Sequence, residues 1–536
     1  MSFLFHQLKN HINRDPLSDW FEKVNNKYSS FHKDKPNSFQ IEIEAQKQKY
    51  KLQFMGHLKD EENCYHELNH SEILDKLESK EECIIFYGNL YHSRFNITVK
   101  PDLIIHRNLF LKYFPGIKID LPEYLVIDIL YKILNFNSIG DDILNSGNIY
   151  YHKCKLYVAS DALGIKSNSF FFGKEYRHKT KVLPKKETIG VFPLTSELGN
   201  SVTEAVEWLI KLNKYYDEWL IYPKPSIKEL YPNMNRKDGM WTNEKKLLAE
   251  LIKEITLVWN ISFNKRCGLL DKGITRWDDP LLLNNIYSFP VRESHREYIQ
   301  KKMIHLNLQE DIVIEPRKIK KYEFIDAIKN QEDSLFLDIE SVCNMEEKEN
   351  YFDEIKITGE AKICIIGTII NKDDYPYKDF TIKYLNEDEE RKIICYWLTY
   401  LDQRFKSKIR VYHWGNAEKV YLNYMKNKYP ELQFPEFEMI DLLTHFKSEP
   451  IIIKGCFGYG LKEIVKNLYD LKLIKNKWID DMNGLDAMIK IKQISEIAVN
   501  KNIPIKRYTE IKQIIYYNYM DCRVLLDILT MLEKML

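Results

Sequence analysis

Residues 334–343 read SLFLDIESVC. A short apolar run of this kind argues for a β-strand. Side chains alternate along a strand, so Asp338 and Glu340 share one face while Leu335, Leu337 and Ile339 share the other. Two carboxylates side by side on a buried face are costly unless a cation sits between them. A divalent metal is the usual solution, because hard cations take carboxylate oxygens. The same acids at a solvated strand end would need no ion. An isolated Asp-x-Glu carries no more than that, so its meaning rests on the residues around it.

The chain has 536 residues, enough for several domains with a sizeable core. Its 79 Lys+Arg against 78 Asp+Glu leave a formal net charge of +1, so any surface for nucleic acid must be local. Aromatic residues make up 13%, 35 of them Tyr, which argues against disorder. The nine cysteines are scattered with no C-x-x-C pair, which fits a reducing, intracellular, cytoplasmic setting and no structural zinc. The opening MSFLFHQLKNHINRD meets charge too early for a signal peptide, and no apolar run approaches the ~20 residues of a membrane span.

Residues 1–80 read as helical and polar. CIIFYGNLYH (83–92) then reads as a strand and turn. FNITVKPDLIIHR (95–107) is a strand region broken at Pro101, and EYLVIDILYKIL (123–134) a further strand ending in helix-like spacing. KCKLYVASDALG (153–164) reads as a helix closed by Gly164, and SFFFGKEY (169–176) as another strand. This mixture predicts an α/β domain. The order of these blocks resembles the RecB-type PD-(D/E)xK nuclease core, a restriction-endonuclease-like fold. The resemblance puts Asp102 and Asp128 at the two acid positions. It also exposes departures: Leu130 stands where the family has its lysine, Lys155 where the helix carries Gln, and a residue near Lys51 where an upstream Glu belongs. The resemblance therefore implies a degenerate nuclease fold over 1–200, unless Lys132 reaches in from the next turn.

Residues 201–314 form an expected helical connecting segment. TEAVEWLIKLNKYYDEWL (203–220) has apolar residues at helical spacing, and WTNEKKLLAELIKEITLVWN (241–260) reads as a second helix after a Pro- and Asn-rich loop. Around Gly273, the cations Lys265, Arg266, Lys272 and Arg276 beside Trp277 allow two readings, a phosphate-contacting turn or a helix cap with solvated charges. The basic stretch EPRKIKKYEF (315–324) marks the expected domain boundary.

After SLFLDIESVC come KICIIGTII (362–370) and DFTIKYL (379–385) as strands, and EDEERKIICYWLTYLDQRF (387–405) as an amphipathic helix with acids in its first turn. KIRVYHWGNAEKVYLNYM (408–425) is a strand turning at Gly415-Asn416 into a helix. Glu418 opens that helix, and QIIYYNYMDCRVLLDIL (513–529) places Tyr517 one turn before Asp521. The β-β-β-α-β-α order and these acids resemble the ribonuclease-H-like DEDD exonucleases in their tyrosine form. The likeness is greatest to the domain that accompanies RecB-type nucleases in bacteria, phages and large DNA viruses. YHWGNAE, FGYGLKEI, NGLDAM and YYNYMDC carry it over residues 315–536. The middle acid is Glu418 where most of that group have Asp, and Asp441 in FEMIDLLTHF is its rival.

What the resemblance implies is a metal-dependent nuclease acting on DNA or RNA, 3′→5′, with Mg²⁺ or Mn²⁺. Asp338, Glu340 and Asp521 would hold one metal, Asp338 would bridge to a second supported by Glu418 through water, and Tyr517 would orient the attacking water. FKSEPIIIKGCFGYGLKEIVKNL (446–468) offers Lys454, Tyr459 and Lys462 as nucleic-acid contacts on a glycine-rich turn, against the reading of an ordinary loop and helix start. His413 and Trp414 fall beside the site, the histidine in a structural role. The competing class is an inactive nucleic-acid-binding or scaffolding protein built from two retired nuclease folds.

Overall fold

The apolar runs become the inner strands of two separate sheets. The structure, a computed structural model, describes residues 2–58, 63–236, 239–286, 294–330, 334–343, 361–371, 377–479 and 482–536. The architecture is mixed α/β. Among the described residues the chain divides into two units, 2–36 with 40–252 and 37–39 with 253–343 and 361–536. No helix among them is long and apolar enough to cross a membrane.

In the first unit, β1 (Cys64–His66), β2 (Ile84–Phe86), β3 (Leu103–His106), β4 (Tyr124–Asn135), β5 (Asn168–His178), β6 (Lys181–Leu183) and β7 (Gly190–Pro193) form one sheet. Its order is β7-β5-β4-β3-β2-β1, with β6 paired to β5. Residues 124–130 of β4 are buried without alternation, as a strand covered on both faces requires. The stretch that reads as helix-like at its end stays a strand to Asn135, because β5 pairs with it in parallel as far as Arg177. A parallel pair needs a crossover, and α2 (Ile149–Ala162) supplies it. An earlier helix, α1 (Ser38–His57), buries Tyr50 and Phe54 in the core that Phe110 and Phe172 share.

The second unit is organised on β8 (Leu335–Cys343). Its five-stranded sheet runs β10 (Tyr377–Thr381), β9 (Ala361–Ile370), β8, β11 (Ile409–His413), β12 (Phe437–Asp441). β8 is antiparallel to β9 and parallel to β11, which is in turn parallel to β12. The expected alternation holds. Leu335, Leu337 and Ile339 enter one core with Ile394 and Trp397 of α3 (Glu387–Asp402), while Phe336 enters another with Tyr412. After β11 come α4 (Ala417–Lys428), α5 (Leu442–Ser448), α6 (Leu461–Asp470), α7 (Gly484–Lys501) and α8 (Thr509–Glu533). The C-terminal half of α8 buries Leu525, Ile528, Leu529 and Leu532 in the core of Phe336.

Two expectations for the middle segment change. Residues 241–260 are not one helix: it ends at Leu251, Lys253 takes a left-handed φ of 56°, and a single 3₁₀ turn follows at Ile255–Leu257. The segment 201–314 is shared between the units. The helix His295–Leu308 gives Ile299, Met303 and Leu306 to the core around Phe336, so EPRKIKKYEF runs inside the second unit.

Candidate metal centre on the central strand

β8 and α8 bring three acids together. One oxygen from each of Asp338, Glu340 and Asp521 lies within 4.8 Å of the others. Asp338 and Glu340 come from alternate positions of the strand. Asp521 and Tyr517, four residues apart, come from the α8 face laid over it. Glu418, in the first turn of α4, lines the same cavity as Asp338, Asp521 and Tyr517. This cavity has a volume of about 380 Å³, and Trp414, Lys462 and Trp478 also line it.

The acids are close to one another, Glu340 buried and Asp338 and Asp521 half-buried at the cavity. Burial pushes Asp338 up to about 7. Burial, then the neighbouring Asp338, pushes Glu418 up to about 8. Glu340 and Asp521 are driven well above the usual carboxylate range, first by burial and then by the acids around them. Such a cluster of oxygen donors, each disfavouring its neighbour's charge, suits a hard divalent cation. Among the described residues these three acids are the group placed to hold one. Glu418 stands further out, its Oε2 buried without a hydrogen-bond partner and 3.7 Å from His413 Nδ1. The Tyr517 hydroxyl hydrogen-bonds to Asp521, and burial raises its pKa far enough to keep it a proton donor.

Its rival Asp441 is spent on structure. Its Oδ1 accepts from Gly415 N at 2.8 Å and Leu443 N at 3.0 Å, and its Oδ2 from the Thr444 hydroxyl at 2.6 Å, capping α5. His413 is structural as expected: its Nδ1 donates to the Gly415 carbonyl at 2.6 Å, and burial lowers its pKa.

The first part of the glycine-rich turn, through Gly458, spends its amides within the protein, while Gly460 and Leu461 line the cavity. Glu463 accepts from Phe457 N at 2.7 Å and Gly458 N at 3.1 Å, and Asn307 Oδ1 accepts from Gly455 N at 2.7 Å. Lys454 donates to the carbonyls of Gln309 at 2.5 Å and Glu310 at 2.8 Å. Tyr459 is buried edge-on against Trp259. Of the three contacts expected there, Lys462 alone lines the cavity. Its ammonium lies 5.3 Å from the Tyr517 ring centroid and 5.7 Å from that of Trp478, donates to the Met482 carbonyl, and favours the Asp521 anion. Of the two readings open around Gly273, the structure favours the helix cap. Arg266 is buried 3.5 Å from Glu254, Arg276 is paired with Asp278 at 2.8 Å, and Gly273 has the φ of 79° of a helix cap.

In the first unit, Asp102 and Asp128 meet lysines. Lys51 Nζ donates to Asp102 at 2.8 Å, and Lys155 Nζ to Asp128 at 2.7 Å while 4.0 Å from Asp102. His152 Nδ1 sits 2.8 Å from Asp128 Oδ2. Burial alone would raise Asp128, but the charges of Lys155, His152 and Lys51 outweigh it and hold the acid below the usual range. Two ammonium groups thus balance two carboxylates where a metal would otherwise be needed. Lys132 turns to the side-chain oxygen of Asn148.

The motif spacing passes over Asn518, Tyr377 and Trp478. Asn518, fully buried, donates from Nδ2 to Asp338 Oδ2 at 2.5 Å and accepts from the Tyr377 hydroxyl at 2.8 Å. Its signal was local: asparagine is a poor residue for a helix interior unless its amide has a partner. Trp478 had no such signal, since only the chain path brings it to the cavity. No family model matches this chain, and no curated protein matches it.

Proposed function

We propose that the second unit is a metal-dependent nuclease of the ribonuclease-H-like DEDD type, and that the first is a RecB-type fold without a catalytic centre. The observation that carries this is the convergence of Asp338, Glu340 and Asp521, two of which, Asp338 and Asp521, line one cavity with Glu418 and Tyr517. The strand order β10-β9-β8-β11-β12, with β9 alone running against the other four, supports the fold assignment.

Asp338, Glu340 and Asp521 would hold Mg²⁺ or Mn²⁺, with Glu418 at the far side of the cavity. When bound, such ions neutralise the phosphodiester and lower the pKa of water. Tyr517 keeps its proton and donates a hydrogen bond to Asp521, so its oxygen would orient a water by accepting from it. Lys462 places a positive charge beside Asp521, where an anionic backbone would enter. The cavity of about 380 Å³ is of the size of small-molecule sites and would take a single nucleotide unit. The polarity implied by the sequence likeness is 3′→5′.

The test is cleavage of end-labelled DNA and RNA strands in Mg²⁺ or Mn²⁺. Wild type should shorten an unpaired strand stepwise, and Asp338→Ala should abolish this. Binding without cleavage by wild type would leave a nucleic-acid-binding protein in place of an enzyme.

A further inference from the structure

We propose that Asn518 is the positioning residue of the acid cluster, orienting Asp338 for a divalent cation through its side-chain amide. This rests on the metal-centre reading and adds a residue that the D-x-E and Y-x-x-x-D spacing does not contain. Three observations point the same way.

First, the amide is polarised from both ends. Tyr377 O–H donates to Asn518 Oδ1 at 2.8 Å, and Asn518 Nδ2 donates to Asp338 Oδ2 at 2.5 Å. The ionised Asp338 that would take a cation only accepts, which sets the amide orientation for that form, and Tyr377 holds it from behind. One lone pair of Oδ2 is thereby occupied, and the Asp338 carboxylate is fixed about its last torsion. The Ile339 N–H takes a further position on the carboxylate, and the lone pairs that remain are left for an ion.

Second, the sheet makes room for this amide at one point. Gly367 is the residue opposite Asp338 on β9. A Cβ there would stand 1.5 Å from Asn518 Oδ1 and 2.9 Å from the Tyr377 ring. The missing side chain lets α8 lie against β9, where Cys522 Sγ also reaches the Gly367 carbonyl at 3.5 Å.

Third, a buried amide in a helix interior is costly unless satisfied. Asn518 has no solvent exposure and spends its amide on these two partners. A leucine would fill the same space in a core already rich in leucine without that cost. Hydrogen bonds to ligating carboxylates orient them, and losing one typically weakens metal affinity or activity about 10–100-fold.

The experiment is Mn²⁺ titration of the full chain by calorimetry and by the Mn²⁺ electron paramagnetic resonance signal, with thermal melts as a check on folding. The variants are Asn518→Leu, Tyr377→Phe and Asp338→Asn. Asn518→Leu should bind Mn²⁺ about 10–100-fold more weakly at unchanged stoichiometry and with a native melt. Tyr377→Phe removes one oxygen and leaves the packing, so it should weaken binding by less and in the same direction. It carries the test if Asn518→Leu does not fold. Wild-type Mn²⁺ affinity in Tyr377→Phe and in a folded Asn518→Leu, with binding lost in Asp338→Asn, would overturn the role of Asn518 and leave the metal centre standing. Wild-type affinity in Asp338→Asn itself, or no binding in wild type, would overturn the metal centre and this proposal together.

Discussion

At the scale of single residues, the second unit confines negative charge, and this has a measurable pH signature. Asp338 titrates near 7 and Glu418 near 8, both raised by burial above ordinary carboxylate values. Between about pH 4 and pH 8 the folded chain therefore holds protons that the unfolded chain has released, so stability falls as pH rises through that window. The metal-free protein should melt at a lower temperature at pH 8 than at pH 6. Added Mn²⁺ should restore more at pH 8, where the acids must otherwise carry unpaired charge. Asp338→Asn should flatten the metal-free slope. A melting temperature independent of pH over this range would contradict the burial of these acids. Tyr517 belongs to the same scale. Tyr517→Phe removes both the hydroxyl beside the water and a hydrogen bond to Asp521, so it should lower kcat about 10–100-fold and weaken Mn²⁺ binding in the same direction.

At the scale of elements, the decisive contact is α8 lying over β8 and β9. It converts a strand motif and a helix motif, about 180 positions apart, into neighbours. The approach depends on Gly367, and a methyl there meets Asn518 before anything can relax. Gly367→Ala should destabilise the second unit by about 1–3 kcal/mol, the usual range for overpacking a core. It should also weaken Mn²⁺ binding, because the helix that carries Asp521 must shift. Denaturant melts followed by Mn²⁺ titration check both. A glycine inside an otherwise β-branched strand such as KICIIGTII marks a close approach of another backbone, but the pattern does not say of which element.

At the scale of the whole molecule, the two units answer the same problem of buried acids in different ways. The first closes Asp102 and Asp128 with Lys51, Lys155 and His152, and the second sets Asp338, Glu340 and Asp521 together, where on the proposed reading an ion would balance them. Asp128→Ala should therefore leave cleavage and Mn²⁺ stoichiometry unchanged while costing about 3–5 kcal/mol, since it strands a buried ammonium. Asp338→Ala should do the reverse, abolishing cleavage with a smaller effect on folding. Lost cleavage in a folded Asp128→Ala would move the active centre to the first unit. What the sequence by itself determined was local in its physics. Alternation placed Asp338 and Glu340 on one face, helical spacing aligned Tyr517 with Asp521, and the strand and helix runs predicted an α/β chain. Those patterns depend on residues a few positions apart, so the chain carries them wherever it folds. Tertiary structure alone decided which partners complete each group. It spent Asp441 on a helix cap, Lys454 on two carbonyls and the Phe457 and Gly458 amides on Glu463. It set Lys155 against Asp128, and Asn518 between Tyr377 and Asp338. A carboxylate or an ammonium is available for chemistry only if nothing nearer satisfies it, and that competition is settled among side chains far apart in sequence.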